Sequence, residues 1–357
     1  MQRRGGYRAK QSGRAWVTTM VAAIAASLSP LVATADRRVI TEAECAAALR
    51  YSDERAGLAL LVLVDGKPVC QSAPETLDQP NELWSGTKSF VGLIAAAAVQ
   101  DGLLTLDEKV ADTLPEWRAD KRKRQVTIRQ LLSMTSGQIS EVGRPLGYRA
   151  SADQPIRLAP GKFFRYGPGP MQTFGEVFSR KLRARGLDES PVEYLNRRIL
   201  KPAGLSFTRW RDGPDGQPLL PQGAILTARQ WAQFGEFVRH GAMIEGKRIV
   251  DAKAFEELFI GSKANAAYGL TWWLPRHSTS NDPVTSLFDL ARNPHAVPQD
   301  LVIASGAGEQ RLYVIPSLGI TVVRQGEIDL TNPTASRQRW SDTDFLAALG
   351  IASADGE

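Results

Sequence analysis

Apolar positions in this chain follow three spacings, and each spacing predicts a different element. A helical pattern runs from Thr41 to about Tyr51, with Thr41 and Glu44 three residues apart as a capping box at its start. Leu58 to Val64 is continuously apolar, as in a strand buried on both faces, and Asp65-Gly66 turns it into a second strand at Pro68-Val69-Cys70. From Ser85 to Gly102 the chain is apolar on every side of a helix. That pattern predicts a helix in the middle of a domain, ended by a glycine suited to the left-handed cap.

The middle of the chain reads as mainly helical. Val126 to Gly137 predicts a short helix capped by Thr127, followed by a long loop from Gln138 to Pro160 and a rigid Gly/Pro path after Tyr166. Further helices are expected at Met171 to Arg185, Val192 to Leu200, Thr227 to His240 and Asp251 to Ile260. Strand patterns return at Gly269 to Leu274, Leu301 to Ala304, Arg311 to Ile315 and Ile320 to Arg324, and a helix from Asp342 to Leu349 closes the chain. Strands at both ends with helices between predict an α+β fold. Its antiparallel sheet is formed from both chain ends and flanked by helices, with an inserted mainly helical domain. The expected division is 36–104 with 265–357 for the sheet domain and 105–264 for the helical one. Residues 1–35 read as an export signal: five basic residues, an apolar run from Ala15 to Val32, then Ala33-Thr34-Ala35 as a cleavage site. An uncleaved anchor is the alternative for that run.

Composition narrows the chemistry. The 357 residues are 43% hydrophobic and 23% charged, as in a globular protein with a sizeable core. The net charge of +6 is diffuse, and its densest run, Lys121 to Arg124, lacks the interleaved aromatics of a nucleic-acid surface. Three histidines, His240, His277 and His295, and two cysteines cannot build the usual zinc spacings, so no metal and no cofactor are expected. A nucleophile elbow, a zinc-peptidase helix and a complete P-loop motif are all missing. Export into an oxidising compartment predicts a disulfide between the only two cysteines, Cys45 and Cys70, tying the first helix to the second strand.

The candidate chemistry lies at the mouth of the buried helix. Ser85 and Lys88 form the only Ser-x-x-Lys of the chain, and helical spacing makes them neighbours. Dry surroundings and the positive helix end both penalise an ammonium at Lys88. A lysine with a depressed pKa can take the proton of a serine, which is the arrangement of an activated nucleophile.

Ser85-Gly86-Thr87-Lys88, Leu131 to Gly137, Phe164-Arg165-Tyr166 and Ser305-Gly306-Ala307-Gly308, in this order, resemble the serine β-lactamase and penicillin-binding-protein-like family, nearest its class C and esterase branch. The resemblance implies the β-lactamase/transpeptidase-like fold and acyl transfer through an acyl-enzyme. It implies Ser85 as nucleophile, Lys88 as its proton partner and Tyr166 as the second-motif tyrosine. Gly306, Ala307 and Gly308 would form the bordering edge strand, with the Glu309 N–H joining that of Ser85 in an oxyanion hole.

Two positions depart from the family pattern. Pro168 stands where the second motif carries Asn or Ser, which makes Gln172 the candidate source of the missing amide. Gly306 stands where the third motif begins with a cation, and Glu309 adds a carboxylate beside the hole. Both changes point away from carboxylate-bearing β-lactams and muropeptides and toward a neutral or cationic small-molecule ester or amide. The expected function is an exported serine hydrolase, periplasmic or secreted, with no nucleic-acid partner and no stable membrane span once the signal is removed. A D-Ala-D-Ala carboxypeptidase or β-lactamase is the first alternative. A non-catalytic binding protein that uses the same cleft is the second.

Overall fold

A computed structural model describes residues 39–328 and 340–353. The expected export segment, 1–35, lies outside the described residues. The first helix, α1 (Glu42–Asp53), carries the expected capping box, with Thr41 Oγ1 accepting from the Glu44 N–H at 3.2 Å. Strands β1 (Gly57–Val64) and β2 (Lys67–Gln71) follow as a hairpin. The central helix α2 (Lys88–Gln100) buries Phe90 through Ala98 on all sides, and Gly102 ends it at φ +66°. Helices α3 (Gly169–Ala184) and α4 (Ala228–Arg239) are the long helices of the middle. The last strands are β3 (Val302–Gly306), β4 (Gln310–Ile315) and β5 (Ile320–Gly326), and helix α5 (Asp342–Ala348) comes after them.

These strands form one antiparallel sheet in the order β2-β1-β5-β4-β3, so β1 meets β5 across the two ends of the chain, with Leu61 opposite Val323. Alternation along β4 sends its side chains to two layers. Leu312 faces α4, where a Cβ on Gly235 would lie 2.7 Å from it, while Tyr313 stacks on Phe345 of α5 at 5.7 Å. Helix α1 joins α5 on that second face through Tyr51, whose ring lies 6.0 Å from Phe345. The fold class read from the sequence is the one observed.

The Cys45–Cys70 disulfide is present and ties α1 to β2. Among the described residues no helix is long and apolar enough to cross a membrane.

Several expected elements differ. Gly269 to Leu274 is not a strand: Thr271 takes φ +78°, which breaks the extended path, and only Trp273 bridges to the sheet, opposite Ile303. The turn sends both Trp272 and Trp273 into the core. The Val126–Gly137 helix shortens to Ile128–Leu132, because Met134 turns left-handed at φ +58°. Val192–Leu200 splits into Pro191–Leu195 and a π-turn at Asn196–Leu200, and Asp251–Ile260 into Ala252–Glu256 and a 3₁₀ turn at Glu257–Phe259. The long loop holds a short helix of its own, Tyr148–Asp153.

Candidate active site

Ser85 does not open an α-helix. It sits in a 3₁₀ turn, Trp84–Thr87, that feeds directly into α2. Trp84 enters this turn at φ +47°, a conformation that costs a non-glycine residue about 1–3 kcal/mol and survives only where its surroundings enforce it. Two contacts do so. The Leu83 N–H donates to the Ala224 carbonyl at 3.0 Å, and the buried Thr87 Oγ1 accepts from the Ala224 N–H at 3.1 Å. Ser85 is therefore presented by a strained turn clamped by the Ala224 backbone, at the start of the short strand Ala224–Leu226.

Lys88 begins α2 and points back along it, as helical side chains do. Its Nζ lies 2.8 Å from Ser85 Oγ and 3.0 Å from the Pro221 carbonyl. It is 3% exposed. Burial, uncompensated by any carboxylate, lowers its pKa to about 7. At neutral pH a large share of the amine is unprotonated and can accept the serine proton.

Tyr166 completes the group. Its hydroxyl lies close enough to Ser85 for the serine to lower its pKa, and the Lys88 Nζ lies 4.8 Å from the centre of its ring. Burial pushes the phenol up to about 12, against the lowering effects of Ser85, of the Arg311 charge and of the Trp273 indole. The same dry site thus drives base and phenol apart. Lys88 is available as an acceptor and Tyr166 stays protonated as a donor. Packing fixes the ring: Trp273 lies 5.7 Å away and Tyr268 stands edge-on at 5.9 Å. The Tyr166 N–H is held by Asp282 Oδ2 at 3.0 Å, so the segment after Arg276 walls the site. From the other side, Ser140 Oγ accepts the Gly169 N–H at 2.9 Å and brings the long loop alongside.

The third-motif residues are brought to the same place. Gly306 ends β3 against the turn that carries Ser85 so closely that a Cβ there would stand 2.1 Å from the Leu83 carbonyl oxygen and 3.1 Å from the Gly86 nitrogen. Any side chain there, charged or not, would force the two backbones apart. Ala307, Gly308 and Glu309 form the turn into β4, with Gly308 at φ +69° and Glu309 at φ +57°. The Glu309 carboxylate, 44% exposed, pairs with Arg311 at 3.1 Å, so its charge is partly compensated.

Gln172 is placed differently. Its Nε2 donates to the Leu146 carbonyl at 2.7 Å and its Oε1 accepts from the Leu220 N–H at 3.2 Å. Its fully buried amide joins the long loop to the segment carrying Pro221, and these bonds do not reach Ser85, Lys88 or Tyr166. The group that meets Lys88 is instead the Pro221 carbonyl, a backbone atom that no side-chain motif could reveal. A groove of about 610 Å³ between Ser179, Glu193, Phe207 and Trp210 includes none of the three central residues. His277 and His295 come within 5.6 Å of each other, but no cluster of three potential metal ligands exists among the described residues.

The family model described as Beta-lactamase matches residues 42–344. Among solved structures the chain is similar to a putative β-lactamase from Bacteroides dorei DSM 17855, at 17% identity and TM-score 0.65, covering 87% of this chain and 97% of that one. It is also similar to EstCE1, a hydrolase with promiscuous acyltransferase activity, at 17% identity and TM-score 0.61, covering 86% and 98%. A class C β-lactamase from Rhodobacter sphaeroides aligns at 16% identity and TM-score 0.60, covering 87% and 98%. No curated protein matches the chain.

Proposed function

The chain belongs to the β-lactamase family, and from that premise we propose that it is an exported serine hydrolase acting through an acyl-enzyme on small neutral or cationic esters or amides. The observation that carries this reading is the 2.8 Å contact between Ser85 Oγ and a buried Lys88 Nζ whose pKa lies near 7. Unprotonated Lys88 takes the hydroxyl proton while Ser85 Oγ bonds to the substrate carbonyl carbon. The oxyanion is met by the backbone N–H groups of Ser85 and Glu309. Tyr166, protonated and beside Ser85, passes a proton to the leaving alcohol or amine as the carbonyl–leaving-group bond breaks, and regains one from Lys88. Water then repeats the sequence on the acyl-serine and releases the acid.

Exclusion of any side chain at Gly306 supports the preference for uncharged substrates, because no cation there can grip a carboxylate. The Cys45–Cys70 disulfide supports an oxidising compartment. The test is intact-mass detection of an acyl adduct across esters, amides and β-lactams, with fluorophosphonate labelling at Ser85. Loss of both label and p-nitrophenyl ester hydrolysis in Ser85→Ala is the expected result. An unlabelled, inert wild type would leave a binding protein, and stable trapping by penicillin would move the substrate class back to β-lactams.

A further inference from the structure

Two arginines that face away from solvent converge on the turn between β3 and β4. Arg311 Nη1 lies 3.3 Å from the Gly306 carbonyl and 3.1 Å from that of Gln310. Arg324 Nη1 lies 2.9 Å from the Gly308 carbonyl and 3.0 Å from that of Glu309. Four carbonyls of one short turn therefore point at two guanidinium groups, which are 5% and 0% exposed. Both groups are anchored at their other ends. Arg311 Nε donates to Asp342 Oδ1 at 2.7 Å, at the start of α5, and Arg324 Nε reaches Ser52 Oγ of α1 at 3.3 Å. Trp340 lies between them, its ring 6.0 Å from the Arg311 Cζ and 4.7 Å from that of Arg324.

A trans peptide is planar, with its C=O and the following N–H pointing in opposite directions. Drawing the Gly308 carbonyl onto Arg324 aims the Glu309 N–H to the other side of the turn, and drawing the Gly306 carbonyl onto Arg311 does the same for Ala307. We propose that Arg311 and Arg324 are positioning residues that aim the backbone donors of this turn at the oxyanion of the reaction. The inference rests on the acyl-enzyme reading above. The family pattern places a cation in the cleft, at the head of the third motif. Here two cations stand behind that motif and grip its backbone. The guanidinium meets two carbonyls through Nη1 while its Nε is anchored to Asp342 or Ser52, and a single ammonium on a shorter stem cannot span both, so Arg→Lys keeps the charge and removes the aim.

The experiment compares wild type, Arg324→Lys and Arg311→Lys on one p-nitrophenyl ester, with kcat normalised to sites labelled by fluorophosphonate so that unfolded protein is not counted. The expected result is a fall in kcat of about tenfold to a hundredfold with KM within about twofold, since an oxyanion donor acts in the transition state and not in ground-state binding. A merely structural arginine would lower the melting temperature and the number of labelled sites but leave kcat per site unchanged. Wild-type kcat per site in both variants would overturn the proposal. If Arg324→Lys yields no labelled sites, Arg311→Lys decides alone, because its ammonium retains the ion pair with Asp342. A wild type that neither turns over nor labels would instead bring down the acyl-enzyme reading itself.

Discussion

Lys88 and Tyr166 occupy the same dry space and are pushed in opposite directions by it, because burial penalises whichever form carries charge. For Lys88 the uncharged form is the useful one. Activity should therefore fall about tenfold per unit of pH below an apparent pKa near 7, and rise to a plateau above it. A pH profile of kcat/KM checks this, and Lys88→Arg should abolish the plateau altogether, by about a thousandfold or more, because arginine stays protonated. The same shift has a consequence for folding. Between about 7 and the ordinary lysine value of 10.5 the unfolded chain holds a proton that the native chain has lost, so Lys88's contribution to stability rises with pH across that window. Ser85 and Lys88 were readable in the sequence because a three-residue spacing in one helical turn is a local property. Their third companion, the Pro221 carbonyl, stands 133 residues from Lys88 and offers only a backbone oxygen.

Elements determine what these residues can do. Strand β3 borders the Ser85 turn only because Gly306 lets it approach the Leu83 carbonyl. Gly306→Ala should push the hairpin away, lowering kcat by at least about tenfold and the melting temperature by a few degrees; kinetics and calorimetry read the two effects separately. The disulfide sits at the other edge of the sheet, on β2, with β1, β5 and β4 between it and β3. Replacing Cys45 and Cys70 by serine should cost about 3 kcal/mol of stability for a loop of this length, seen as a lower melting temperature, and leave kcat of the folded enzyme unchanged. Most element types were readable from apolar spacing and caps, as in α1, where Thr41 and Glu44 form the expected box. Gly269 to Leu274 was not. Its apolar run reads equally well as a strand or as a buried irregular segment, and the left-handed turn at Thr271 is set by what packs around it.

At the scale of the whole molecule, the site is assembled from pieces far apart in the chain, and Gln172 is one of the fasteners. It joins the loop at Leu146 to the segment at Leu220, next to the Pro221 carbonyl that meets Lys88. Gln172→Ala should strand the buried Leu220 N–H at about 1–3 kcal/mol and free the partly buried Leu146 carbonyl, lower the melting temperature, and open the loop from Gln138 to Pro160 to protease. Limited proteolysis followed by peptide mapping would locate the cut. A cut elsewhere, or none, would mean that other contacts hold this wall.

The sequence alone determined the antiparallel sheet from both chain ends, the buried central helix, the Ser85–Lys88 pair and the cysteine pairing. Each is written in short-range spacing or in a choice with one solution. Only the tertiary structure decided that Gln172 fastens two segments, that the Pro221 backbone carbonyl meets Lys88, and that two buried arginines stand behind the β3–β4 turn. Those outcomes depend on which groups meet across a hundred residues or more in a dry interior, where every polar atom must find a partner, and no spacing along the chain records that.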